Sequence, residues 1–453
     1  MTIEKPRAGW LSRSLPLVHE DLSSTYERNL HRWLIVAPIV GITAGLGITA
    51  VATVLLRYVW PRVLALYLAH HWIIIPGLTL GGIVTGLLMQ FGTPDPNLHS
   101  TEEVIEMYHE NNGKIDLRST PVKLIAAITT VGSGGSAALE GPAIYGGAAI
   151  GTWVWSRLSK ISRLGLTPRH RRILLLCGAA AGMSAVFRAP LTGIVFALEM
   201  PYKDDMAHEA LVPSLIASVV SYMTLGVFFG SEPLFAFTAS SSYVPKDLVW
   251  CALLGMLIGL IAMTFVITFR RLRRFVVECP VAHWIKMGIG GLATALCGLA
   301  FLHFYPGTLV PLGPNYEAVR MIIGQNHSTP ELLFFTLMKL AATACTLGVG
   351  GVSAMFVPLF LSGGSLGAAF GQSVVHTQTL GLYEAVGMTS FISAAYKAPL
   401  AAVVFMAETT GGHGFLIPAL VGAAIAYVIS GDASISPAQH VHSRAERQSH
   451  ATA

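Results

Sequence analysis

Between Leu124 and Ser156 the sequence carries one charged side chain, Glu140, set between Gly132-Ser-Gly-Gly-Ser136 and Gly141-Pro142. A carboxylate in so apolar a run is costly unless something compensates it, which makes it a functional candidate. Pro142 suits the first turn of a helix, and the glycines before it can leave backbone N–H groups converging on one point. That arrangement is an anion site. A second run, Gly350-Gly-Val-Ser-Ala-Met-Phe-Val-Pro358, has the same form and places Phe356 where the first has Glu140. Two helix N-termini, each carrying roughly half a positive charge and facing each other, would hold a dehydrated anion without Lys or Arg. Partial charges of that kind bind weakly enough to let the anion leave. Glu140 would then be a tethered anion that occupies the path and is neutralised on protonation, in short a gate. Two blander readings stay open: a carboxylate that caps its own helix, and glycines that serve only close helix packing.

The elements that must position these runs are membrane helices. Of 453 residues only 29 are Lys or Arg and 24 Asp or Glu, 12% charged against 53% apolar. A soluble protein carries about 25% charged residues, so an ordinary cytosolic enzyme is excluded. Uncharged runs long enough for about 30 Å of hydrocarbon lie at Trp33–Leu56, Trp72–Pro94, Ala210–Ser231, Leu248–Phe269 and Met287–Tyr305. Leu124–Ser156, Cys177–Met200 and Leu340–Tyr383, continuing to Ala407, are instead broken by Gly and Pro. Non-helical backbone at membrane depth is tolerated only where protein or a polar cavity surrounds it.

The broken stretches repeat. Ala185–Glu199 matches Ala394–Glu408 without a gap, seven of 15 positions being identical, and Gly134, Gly135 and Pro142 match Gly350, Gly351 and Pro358. The predicted fold is all-α and polytopic, a duplicated unit with repeats at 33–231 and 248–431 joined by a 232–247 loop. Broken helices at corresponding places in two halves mark a substrate site at the repeat interface. The segments 1–32 and 432–453 are expected to be a cytoplasmic N-terminal segment and a short cytoplasmic tail without a regulatory domain. The first has charges of both signs and no apolar core, unlike a cleavable signal peptide. Six Lys/Arg without an acid between Arg157 and Arg172, and four arginines between Arg270 and Arg274, put those segments on the cytoplasmic side.

The remaining composition bounds the chemistry. A net charge of +5 in short clusters does not suggest nucleic-acid binding. The five cysteines have no CxxC and the 16 histidines no HExxH spacing, so neither a metal nor a cofactor is expected. An intramembrane serine protease using Ser133 or Ser136 with His70 or His71 is a remote alternative, since it would need no second Pro358 break.

Gly-Ser-Gly-Gly-Ser-Ala-Ala-Leu-Glu-Gly-Pro at 132–142, Ala-Met-Phe-Val-Pro at 354–358 and the two Ala-Pro-Leu segments resemble the CLC chloride channels and proton-coupled chloride antiporters. So do the amphipathic His99–His109 segment and Ser434–Gln439. The resemblance implies a homodimer in which each subunit has its own anion pathway, built from two inverted repeats of tilted and broken helices. The expected location is the cell inner membrane, with both termini cytoplasmic. It puts Glu140 on the gating glutamate. It also implies anion binding by amides at Leu139 and Gly141 and at Met355, Phe356 and Val357.

Four positions depart from that pattern. Leu139 stands where the gating motif has Lys or Arg. His99 or Ser100 stands at the serine that binds the central anion, and Ser436 replaces the anion-binding tyrosine. Met200 follows Glu199 where antiporters carry a proton-relay glutamate; Glu199, Glu102 or Glu103 are the substitutes at hand. With the tyrosine and relay missing, the sequence favours a chloride channel gated by protonation of Glu140, the alternative being a chloride/proton antiporter with weak or atypical coupling. His99 is expected to add positive charge at the inner mouth below about pH 6.5, or else to cap the helix that follows it.

Overall fold

A computed structural model of the protein describes residues 28–229, 234–235, 243–314, 316, 319, 327–377 and 380–442. The first half builds α1 (Arg28–Thr53), α2 (Trp60–Ala69), α3 (Ile74–Gly92), α4 (Ser100–His109), α5 (Thr120–Gly132) and α6 (Glu140–Leu158). It continues with α7 (Pro168–Phe187), α8 (Pro190–Glu199) and α9 (Leu211–Phe229). The second half builds α10 (Asp247–Glu278), α11 (His283–Phe304), α12 (Thr329–Leu347), α13 (Phe356–Phe370), α14 (Gly381–Tyr396), α15 (Pro399–Thr410) and α16 (Leu416–Ile429). Among the described residues there is no sheet, only isolated bridges at Ala138 with Ala354 and Tyr202 with His440. The protein is an all-α, multi-pass membrane protein.

Among the described residues, six helical stretches are long and apolar enough to cross a bilayer: Arg32–Ala69, His71–Gly92, His208–Gly226, Asp247–Glu278, His283–Phe304 and Thr329–Leu347. Five overlap the runs expected from the sequence. The first is longer than expected, because α1 does not stop near Leu56 but runs through a π turn at Val54–Val59 into α2. Pro61, at the start of α2, cannot donate the usual backbone bond, and the widened turn before it absorbs that loss. The sixth stretch, α12, was missed because Lys339 interrupts its apolar run. Lys339 is fully buried and its ammonium donates to the Pro311 carbonyl at 3.1 Å, so its charge never faces lipid.

The predicted broken stretches form the interior. α6 packs on α7, and α13 on α14, close enough for backbone contact. A Cβ on Gly147 would lie 2.1 Å from the Gly178 carbonyl oxygen, and one on Gly363 would lie 2.2 Å from that of Gly387. Gly363 follows Gly147, and Gly387 follows Gly178, at the same spacings as the two sequence matches. The helices at these contacts are buried almost throughout, whereas α1, α3, α10 and α11 leave large apolar side chains exposed toward lipid. The expected segments 1–32 and 232–247, and the tail beyond 442, lie largely outside the described residues.

The aligned Ala-Pro-Leu segments fold alike. Arg188 and Lys397 end α7 and α14 in left-handed conformation, with φ of 55° and 57°. The prolines that follow start α8 and α15. The glutamates that close the match then cap each other's helices. Glu199 accepts N–H bonds from Leu400 at 3.1 Å and Ala401 at 2.8 Å. Glu408 accepts from Leu191 at 2.9 Å and from the Thr192 amide and hydroxyl, each at 2.7 Å. Each carboxylate supplies acceptors to orphan amides at a helix start, where negative charge is favoured.

Candidate functional site

Each gly-rich break turns its chain through one residue that only glycine adopts easily. Gly134 has φ 105° and Gly350 φ 112°. The residue after each turn folds back on the helix just ended, Gly135 N–H to Thr130 at 3.0 Å and Gly351 N–H to Thr346 at 3.1 Å. The two returning strands of backbone then meet. Ala138 N–H donates to the Ala354 carbonyl at 3.0 Å, and the Ser353 hydroxyl donates to the Ala138 carbonyl. Approach is so close that a Cβ on Gly141 would lie 2.8 Å from the Ser353 carbonyl carbon. The consequence is that α6 and α13 begin face to face, with Glu140 and Phe356 fully buried at their first positions.

The carboxylate of Glu140 crosses this junction. Its Oε1 accepts the Phe356 N–H at 2.5 Å, while Oε2 is buried with no protein partner. The preceding amide, of Met355, donates to the Tyr396 hydroxyl oxygen at 3.1 Å. Two consecutive N–H groups that the family resemblance assigns to an anion are thus held by protein oxygens. Aromatic rings enclose the junction: Phe405, Tyr396 and Phe196 lie 4.8, 5.3 and 5.4 Å from the Phe356 ring. Tyr316 packs on Phe187 and Phe235 and buries a hydroxyl that has no hydrogen-bond partner. Among the described residues, the polar groups at the junction are thus neutral donors, amides and tyrosine hydroxyls, and one carboxylate, that of Glu140.

Below the junction lies a small cavity of about 60 Å³ lined by His99, Ser100, Met200, Met355, Tyr396 and Ser436. His99 is buried at the N-cap of α4, its Nδ1 3.3 Å from the Ser100 hydroxyl, and it makes no side-chain cap bond. Ser436 also buries its hydroxyl without a partner. The C-terminal segment closes this cavity by backbone pairing, Ile435 N–H to Ala395 at 2.9 Å. The Gln439 amide also donates to the carbonyls of Met200 and Tyr396, each at 3.0 Å. Leu139 and Val357 are buried on either side of the junction. Glu199 is not in the cavity but at the start of α15.

Tyr396 and Tyr316 were missed from the sequence. Tyr396 had a signal: it aligns with Phe187, and a hydroxyl added at one member of a matched aromatic pair is a departure to notice. Tyr316 sits outside any motif. The protease alternative finds no support, since the Ser136 hydroxyl is 2.9 Å from that of Thr343 and the Ser133 hydroxyl donates to Thr130 at 3.2 Å.

The sequence and the fold have known counterparts. A family model described as voltage gated chloride channel matches residues 81–431. The H(+)/Cl(-) exchange transporter ClcA of Yersinia pestis bv. Antiqua (strain Angola) is 30% identical over 312 residues, 67% of this chain and 63% of that protein. The chain thus spans 63% of the length of this curated relative. The fold is similar to that of a CLC-type fluoride/proton antiporter, with TM-score 0.77 and 24% identity over 91% of this chain and 98% of that one. It is also similar to a slow cyanobacterial Cl-/H+ antiporter, with TM-score 0.75 and 20% identity over 88% and 94% of the two chains.

Proposed function

The chain belongs to the voltage-gated chloride channel family, and from that premise we propose that it is a proton-coupled antiporter of chloride or a similar small anion. This replaces the channel that its sequence favoured. The observation that carries the reading is the Glu140 carboxylate seated on the Phe356 amide. An anion and this carboxylate compete for one donor, so protonating Glu140 frees the place that the anion takes. One group that must exchange a proton each time the anion moves is the minimum that coupling requires. The relative named an exchange transporter, at 30% identity, supports exchange over passive conduction.

In this reading Glu140 is the gate. Amides at Leu139 and Gly141 serve an outer anion position, those at Met355, Phe356 and Val357 the next, and His99, Ser100 and Ser436 the inner cavity. The repeats at 33–231 and 248–431, a homodimer and an inner-membrane location with both termini cytoplasmic complete the proposal. The test is reconstitution into liposomes with a chloride gradient, recording anion and proton fluxes together. Uphill, stoichiometric proton movement that is lost in Glu140→Gln is the expected result. Anion flux without protons would return the chain to the channel reading.

A further inference from the structure

Glu140 is fully buried, so protons reaching it from the cytoplasm need a carrier with solvent access, and Met200, an apolar residue lining the inner cavity, cannot be one. Three carboxylates, Glu199, Glu102 and Glu103, are candidates to replace it, and their surroundings separate them. Glu199 is committed to the two amides that start α15. Glu103 is buried against the Lys123 ammonium at 2.6 Å, a closed pair away from the cavity lining. Glu102 alone of the three lines the cavity, together with Arg273, Met355 and Tyr396. It is partly exposed and forms an ion pair with Arg273, whose other nitrogen donates to the Asn97 carbonyl at 3.0 Å.

Resting on the antiport reading, we infer that Glu102 is the cytoplasmic proton-loading group, exchanging protons with Glu140 through the inner cavity and the Tyr396 hydroxyl. Arg273 lies within the Arg270–Arg274 cluster, which the positive-inside rule sets on the cytoplasmic side, so the mouth that Glu102 lines faces the cytoplasm. The cavity, at about 60 Å³, holds several waters, each needing roughly 10–15 Å³ by the same measure. Its lining also includes Tyr396, whose hydroxyl sits on the amide of Met355 while Glu140 sits on the next amide. The Tyr396 hydroxyl and the Glu140 carboxylate make no direct hydrogen bond. A proton leaving Glu102 therefore passes to cavity water, the water gives one to the Tyr396 oxygen, and the hydroxyl's own proton goes to Glu140 through a bridging water. Tyr396 ends as it began, one proton has moved, and no charge is left on the ring.

The charged and titratable groups around Glu102 suit that task. Arg273 comes from α10, Glu106 from one turn further along α4, and His99 from the start of the same helix. Arg273 stabilises the carboxylate without burying it, since both side chains keep some solvent contact. Glu102 can therefore exchange with bulk water, which a fully enclosed pair such as Glu103 with Lys123 cannot.

The experiment is paired anion and proton flux from proteoliposomes for the parent, Glu102→Gln, Glu102→Asp and Tyr396→Phe. The expected result is a loss of about a hundredfold in proton flux for Glu102→Gln, the low end for removing a proton-transfer group. Anion flux should persist, and Glu102→Asp should recover proton flux with a displaced pH profile. Tyr396→Phe should also lose proton flux. Should the Gln protein not fold, Glu102→His, able to carry a proton, is compared with Glu102→Ser, which is not, and only the first should support uphill proton movement. A parent that moves no protons uphill sinks the antiport reading itself. A coupled parent whose Glu102→Gln or Glu102→Ser variant keeps the same proton-to-anion ratio sinks the assignment of Glu102 alone.

Discussion

Replacing Glu140 with alanine is expected to tighten anion binding near neutral pH. The carboxylate holds the Phe356 N–H at 2.5 Å, fully buried, between the N-termini of α6 and α13. A hydrogen bond to a charged group is worth about 1.5–3 kcal/mol, and a helix N-terminus adds up to about 2 kcal/mol in a buried setting. An anion that displaces the carboxylate must overcome roughly 3 kcal/mol of this, and 1.4 kcal/mol is a factor of ten, so removing the competitor should tighten binding about a hundredfold. The sign of the pH dependence follows from which state competes. Protonation neutralises Glu140 in the parent and has nothing to act on in the variant. Parent affinity should therefore rise as the medium is acidified, toward that of Glu140→Ala, whose own affinity stays flat. Calorimetric titration of chloride into purified parent and variant at about pH 7.5 and about pH 4.5 measures this. Equal affinities at the higher pH would refute the idea that Glu140 and the anion share one place.

Other expectations are simpler. Glu408→Ala should destabilise the protein by about 1–3 kcal/mol through loss of the α8 cap, seen as a lower thermal midpoint in detergent, while the proton-to-anion ratio stays fixed. Gly147→Val should abolish the monodisperse peak in size exclusion, because a Cβ there meets the Gly178 carbonyl oxygen at 2.1 Å and backbone cannot step aside. Ser436→Tyr should slow anion flux by filling part of the inner cavity, and an unchanged rate would mean that the cavity is not on the path. His99→Ala should leave the pH profile of anion flux as it is, because burial, with Arg273, Lys123 and His283 nearby, holds the imidazole well below its usual range; a shifted profile would mean that His99 carries charge at the inner mouth.

Much of this arrangement was legible because the membrane makes polarity expensive. An isolated Glu140 in a Gly-rich run, or a repeated Ala-Pro-Leu segment, stands out where water is absent. The span ending near Leu347 was illegible for the same reason in reverse. Lys339 reads as a break until one sees that the Pro311 carbonyl receives it. The tyrosines were hidden because aromatic residues are ordinary in apolar helices, and only position tells Tyr396 from a packing ring. Glu199 shows the limit of adjacency. Its place beside Met200 suggests proton chemistry, while the structure turns its carboxylate to the amides of Leu400 and Ala401.

Sequence by itself determined the all-α membrane class and the doubled architecture, since both follow from local polarity and from matches along one chain. It also singled out the junction of Glu140 with the second Gly-rich run, because residue type and spacing specify helix starts. Tertiary structure decided which atoms face one another there. That Oε1 of Glu140 takes the Phe356 amide, that Tyr396 takes the amide before it, and that Glu102 rather than Glu103 opens on the cavity are facts of packing between segments far apart in the chain. Hydrogen-bond direction and cavity shape depend on ångström-scale placement of separate helices, a quantity that no local pattern of residue types encodes.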